Sequence, residues 1–143
     1  MPTPDSLQRL VLDTHIWVWL MEGASELKPG LRRRIEACAC EGELLVSAIS
    51  AWEVGMLEAK GRITFDQECV SWVEDALSAP GIRLVPLVAT IAVASTRLPG
   101  VFHGDPADRI IIATARAYAC PLVTVDAAIS TYAESGLVQI VTA

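Results

Sequence analysis

The chain has 143 residues, 52% of them hydrophobic, with a mean hydropathy of +0.43 and a formal net charge of −6. That length suits one domain, residues 1–143, built around a single core. The most apolar stretch, Leu84 to Ala94, is about half of the roughly 20 residues a membrane span requires, and Met1–Asp5 lacks the basic and apolar regions of a signal peptide, so no membrane partner and a cytoplasmic location are expected.

In chain order, Leu10-Val11-Leu12 reads as a short buried strand ending at Asp13. A helix with an aromatic face follows (Ile16, Trp17, Trp19, Leu20, Met21) and stops at Gly23. Leu31, Ile35 and Cys38 recur at helical spacing, and Gly42 closes that helix. Leu44-Leu45-Val46 is the second strand, after which Ser50 opens a helix running to Lys60. Asp66 is expected to cap the next helix, with Val70, Val73 and Leu77 as its inner stripe. Pro80-Gly81 turns the chain into a third strand, Ile82 to Val85. Ala89–Leu98 is helical, Asp105-Pro106 starts the helix Ala107–Ala119, Pro121–Val125 is the fourth strand and Val138–Val141 the fifth.

Short, non-alternating apolar strands separated by helices point to a parallel sheet of about five strands covered on both faces, a three-layer α/β/α sandwich. Sites in such sheets form beyond the carboxyl ends of the strands, where the strand order reverses. Asp13 and Asp126 follow strands one and four, which a doubly wound order makes central neighbours. Glu53 and Asp108 sit near the starts of the helices after strand two and before strand four. Four carboxylates in one pocket cannot all stay ionised without cations. Oxygen ligands without His or Cys suit Mg²⁺ or Mn²⁺, and a pair of such ions catalyses phosphodiester cleavage by activating water. An acidic chain without a long basic stretch is otherwise a poor nucleic-acid binder. Two divalent cations would offset four of its six net negative charges.

Each acid also has a plainer reading. Ser50-x-x-Glu53 fits a capping box, and Asp105-Pro106-Ala107-Asp108 fits a helix start with Asp as N-cap and Pro at N1. Asp13 and Asp126 are harder to explain this way, because a carboxylate at the end of a buried strand must find partners or a cation.

The segments Leu12–Trp17, Val46–Val54, Asp105–Ala115 and Leu122–Asp126 resemble, in order and spacing, the four acidic motifs of PIN-domain proteins, and more narrowly VapC-type toxins. The resemblance runs from about Leu10 to Val141. It implies an endoribonuclease using Mg²⁺ or Mn²⁺, with Asp13, Glu53, Asp108 and Asp126 as catalytic metal ligands and RNA as substrate. It also implies a homodimer and a VapB-type antitoxin that blocks the site. Thr14 and Thr124 would support the ligands through their hydroxyls. The fourth motif often carries Asn where this chain has Asp126, which makes a role through water or neighbouring groups an alternative there.

Asp105 is read first as an N-cap, with an accessory role near the metal as the alternative; Arg109 would contact phosphate or pair with Asp105. The two histidines, His15 and His103, are not needed where a metal activates water. Arg32-Arg33-Arg34 reads as a solvated face, with RNA contact the alternative, and Cys38, Cys40, Cys69 and Cys120 read as reduced core cysteines. Trp17, Trp19, Trp52, Met56 and Leu57 suggest an apolar groove for an antitoxin helix. An RNA-processing nuclease without a toxin role is the alternative enzyme. A phospho-acceptor receiver module is disfavoured, because Val85-Pro86-Leu87 offers no acceptor Asp and no Lys follows Lys60.

Overall fold

The computed structural model describes residues 8–142; Met1–Asp5, on which the absence of a leader was read, lies outside them. The five strands are β1 (Arg9–Leu12), β2 (Glu43–Ser47), β3 (Ile82–Val85), β4 (Leu122–Val123) and β5 (Ile140–Val141). All pair in parallel, in the order β3-β2-β1-β4-β5. The chain therefore winds outward from β1 to β3, then returns to the other side of β1. The order reverses between β1 and β4, so the loops leaving those two strands flank the natural crevice of the sheet.

Side chains alternate across the sheet and divide the core in two. Leu10, Leu12, Leu44, Val46, Val123 and Val141 face one helical layer, whereas Val11, Leu45, Val85 and Leu122 face the other. The first layer comprises α1 (Thr14–Glu22), α2 (Pro29–Glu41), α3 (Ala48–Ala59) and α4 (Cys69–Leu77). The second comprises α5 (Ala89–Thr96), α6 (Pro106–Tyr118) and α7 (Ala127–Ala133). The expected three-layer α/β/α architecture is thus the observed one. Gly42 joins α2 to β2 where the chain passes so close to Gln8 that an added Cβ would lie 1.8 Å from its carbonyl oxygen.

Four local expectations are corrected. The cap of α3 is Ser47, whose hydroxyl accepts from Ile49 N at 3.2 Å, and Ser50 lies fully buried inside the helix. Glu53 consequently stands in the second turn of α3 rather than in a capping box. The fourth helix starts after Glu68, not Asp66, and buries Trp72 and Ala76 while Val70 is exposed. Trp72 wins the inner face because it packs edge-on against Trp17 at 5.2 Å and stacks on Phe65 at 4.3 Å, covering more apolar area than valine can. The fourth strand is only two residues long, and α7, which the apolar pattern did not reveal, connects it to β5.

Arg32 is not a merely solvated residue. Its guanidinium donates to the Ala24, Leu20 and Trp19 carbonyls at 3.1–3.5 Å, satisfying the free end of α1. Of the cysteines, Cys38 and Cys120 are buried and free, but Cys40 is exposed and Cys69 only half-buried.

Candidate metal centre

The carboxylates meet beyond the carboxyl ends of β1, β2 and β4. Asp13 leaves β1 and caps α1, and although charged by nature it is only 8% exposed. Its Oδ1 accepts from Thr14 N at 2.8 Å and its Oδ2 from the Thr124 hydroxyl at 2.6 Å. Thr124 follows β4, so this bond ties together the two strands between which the order reverses. The Thr124 hydroxyl also accepts from Asp126 N at 3.0 Å, which fixes the turn into α7.

A second network centres on Thr14. Its hydroxyl lies 2.5 Å from Glu53 Oε1 and 2.9 Å from Ser50 Oγ. An ionised carboxylate can only accept, so the single Thr14 proton goes to Glu53 and Thr14 accepts from Ser50. Thr14, Ser50 and Thr124 are all almost completely buried, so their hydroxyls are committed to orienting acids rather than to solvent.

Glu53, Asp105 and Asp108 each present a carboxylate oxygen within 4.8 Å of the other two. Of the two readings of Asp105, the N-cap is the one observed. Its Oδ1 caps α6 by accepting from Asp108 N at 2.8 Å, while the residue belongs to this acidic trio. Asp126 caps α7, its Oδ1 accepting from Ile129 N at 2.9 Å. It lies close enough for its charge to act on Asp13 and Asp108.

Electrostatics record the crowding. Burial, followed by the charges of Asp105, Asp13, Asp126 and Glu53, pushes the Asp108 carboxyl up to about 7. Burial also raises Asp13, against the lowering effect of its Thr124 and Thr14 bonds, and raises Glu53 in the same way against its Thr14 bond. Such a cluster is costly as a set of bare anions. Its donors are hard oxygens, with Asp13 and Glu53 oriented by hydroxyls, so the residues fit a hard divalent cation.

Arg109 departs from the pairing anticipated for it. Its Nε donates to Ser95 O at 3.0 Å and its Nη1 to Phe102 O at 2.7 Å, and it makes no ion pair with Asp105. It clamps the end of α5 and the following loop onto α6. Arg109→Gln is expected to cost about 2–4 kcal/mol of folding stability, because two charge-assisted bonds to partly buried carbonyls are lost. A urea midpoint within error of the parent would remove that role.

His15 is exposed beside Trp19, the two ring centres 5.9 Å apart. Of the side chains expected to line an antitoxin groove, Trp17 is fully buried, Trp19, Met56 and Leu57 are half-buried, and Trp52 is 58% exposed. A cleft of about 710 Å³ between α5 and α6 is lined by residues that include Val93, Arg97, Leu98 and Arg116 and holds none of the acids. Among the described residues no helix is long and apolar enough to cross a membrane.

Comparison with known proteins agrees with this geometry. Residues 10–135 match the family model of the PIN domain. The chain is 34% identical over 117 residues to the ribonuclease VapC22 of Mycobacterium tuberculosis, covering 82% of this chain and 86% of that protein. Among solved structures it resembles a chain of VapBC2 from Rickettsia felis bound to a promoter DNA fragment, with a TM-score of 0.68 at 16% identity, over 94% of this chain and 98% of that one. A toxin–antitoxin complex from Klebsiella pneumoniae gives 0.61 at 23% identity, over 93% and 96% of the two chains. At those identities the structural likeness speaks to the fold.

Proposed function

The chain belongs to the PIN-domain family, and from that premise we propose that it is a metal-dependent endoribonuclease acting as the toxin of a toxin–antitoxin pair. The observation that carries the reading is the trio Glu53, Asp105 and Asp108, whose carboxylate oxygens lie within 4.8 Å of one another, with the charges of Asp13 and Asp126 acting on Asp108 at the crevice where the strand order reverses. The 34% identity to a ribonuclease supports RNA as the substrate.

In this reading Asp13, Glu53 and Asp108 hold Mg²⁺ or Mn²⁺, with Asp105 beside them and Asp126 acting directly or through water. When bound, the cation supplies activation of a water and neutralisation of charge on the leaving oxygen. Thr124 and Thr14 keep the Asp13 and Glu53 carboxylates at fixed angles, so little reorganisation is required as substrate arrives. Burial of Asp13 excludes competing water from one side of the site.

The family match and the toxin–antitoxin relatives support an antitoxin as protein partner, and exposed Trp52 on α3 is the aromatic side chain available to it. A second copy of the chain would find uncovered aliphatic side chains at Leu84, Leu87, Val88 and Val93. Such a protein acts on RNA in the cytoplasm.

Incubation of the purified chain with total RNA, in EDTA and in Mg²⁺ or Mn²⁺, tests the proposal. Discrete fragments that require metal are expected. Intact RNA under every metal, with the protein folded, would reject it.

A further inference from the structure

If RNA is the substrate, the site has a problem of affinity. Most binding to nucleic acid comes from cations on phosphates. The charges acting on Asp13, Glu53 and Asp108 are other carboxylates and His15, with no Lys or Arg among them. Arg109, the cation nearest to the acids in sequence, is spent on two backbone carbonyls. Contacts to bases would then add to the phosphate binding that a cation at the acids supplies.

A hollow of about 300 Å³ lies between the loop that precedes α6 and the length of α7. One wall is Val101–His103, which ends two residues before Asp105; the other includes Ala128, two residues after Asp126, with Thr131 and Tyr132 of α7. None of the acids lines the hollow, but its two walls come within two residues of Asp105 and of Asp126 in the chain, which those of the larger cleft between α5 and α6 do not.

Its walls are fixed in advance. Arg109 holds the Phe102 carbonyl, the Phe102 ring meets Tyr132 edge-on at 5.4 Å, and the Tyr132 hydroxyl donates to Pro99 O at 2.6 Å. The Phe102 ring lies over Gly104, where a Cβ would come within 2.1 Å of it. The rim is exposed and uncharged at Val101 (74%), and His103 beside it is exposed as well. The Thr131 hydroxyl donates to Ala127 O at 3.0 Å and retains the capacity to accept.

We propose that this hollow is a subsite for the base of a nucleotide adjoining the scissile phosphate. Its apolar walls and the His103 imidazole suit a base face, and its hydroxyls suit a base edge, as in recognition of unpaired RNA. The subsite would set sequence preference around the cut. The inference rests on the nuclease reading, and its test separates the two.

Fragment ends from a randomised RNA pool are sequenced after cleavage by the parent, His103→Ala and Ala128→Trp. Ala128 is exposed, so the added indole fills the hollow without entering the core. The parent is expected to favour certain bases at one position beside the cut, and both variants to reduce that preference about tenfold, the low end of one base stack. Unchanged preference in both folded variants would overturn the subsite. Independently of cleavage, the full chain carrying Asp13→Asn is titrated with AMP, GMP, CMP and UMP and followed by amide NMR. Saturable shifts confined to residues 101–104 and 127–132 are expected; shifts elsewhere or none would overturn it. A parent that leaves RNA intact while its Asp13→Asn form still shows those shifts would reject the nuclease and retain the subsite.

Discussion

Asp13→Asn is expected to reduce metal-dependent RNA cleavage by at least about a thousandfold, the rate equivalent of several kcal/mol of metal-supplied stabilisation, while making the metal-free protein more stable. The two effects have one cause. Asp13 is buried among like charges, and burial raises its carboxyl above the ordinary range. Asn removes that penalty, yet can still accept from Thr14 N as the N-cap of α1. Residues that trade stability for a charged site behave in this way, whereas a purely structural N-cap would lose nothing in cleavage. Thr124→Val provides the graded comparison. It deletes the hydroxyl 2.6 Å from Asp13 Oδ2 without changing the acids, and should lower cleavage or metal affinity about 10- to 100-fold. Cleavage rates within a factor of two of the parent for Asp13→Asn would remove this carboxylate from the chemistry.

Why Asp13 could be singled out from sequence, and other features could not, follows from the range of the forces involved. A charged residue closing the run Leu10-Val11-Leu12 conflicts with its own neighbourhood, and that conflict is local and visible. The parallel sheet was legible for a similar reason: Leu44-Leu45-Val46 has no polar face, so both sides of its strand had to be covered. Ser47 and Ser50 show the opposite case. Both are good caps three residues apart, and only the distant Thr14 hydroxyl, which draws Ser50 into the interior, decides between them. On α4, Val70-Val73-Leu77 and Cys69-Trp72-Ala76 both keep helical spacing. The choice is made by Trp17 and Phe65 on other elements. The two short elements β4 and α7 offer too few residues for any period, and Val125, strand-like in sequence, stands 48% exposed in the turn between them. Arg109 looked like a ligand for phosphate because its true partners, Ser95 O and Phe102 O, are backbone atoms of a loop whose path the sequence does not state.

The metal-free chain should lose thermal stability as pH rises from 5 to 8. In the folded protein the Asp108 carboxyl is raised to about 7, chiefly by burial and then by four neighbouring carboxylates, and Asp13 and Glu53 are raised as well. In the unfolded chain these groups return to about 4. Between those values the native state holds more protons than the unfolded state, so the stabilisation is full below about 4 and lost as pH climbs through about 7. Asp108→Asn should flatten this slope in EDTA, because the most perturbed of the acids no longer titrates. Saturating Mg²⁺ or Mn²⁺ should reverse its sign. A cation binds the deprotonated cluster of the native state, so its stabilisation grows as the acids ionise and reaches about 2.7 kcal/mol at a hundredfold excess over Kd. Scanning calorimetry in EDTA and in metal, at pH 5 and pH 8, reads both slopes. Equal midpoints at the two pH values in EDTA would mean that the five carboxylates do not crowd one another, and the case for a cation at this crevice would fall with them.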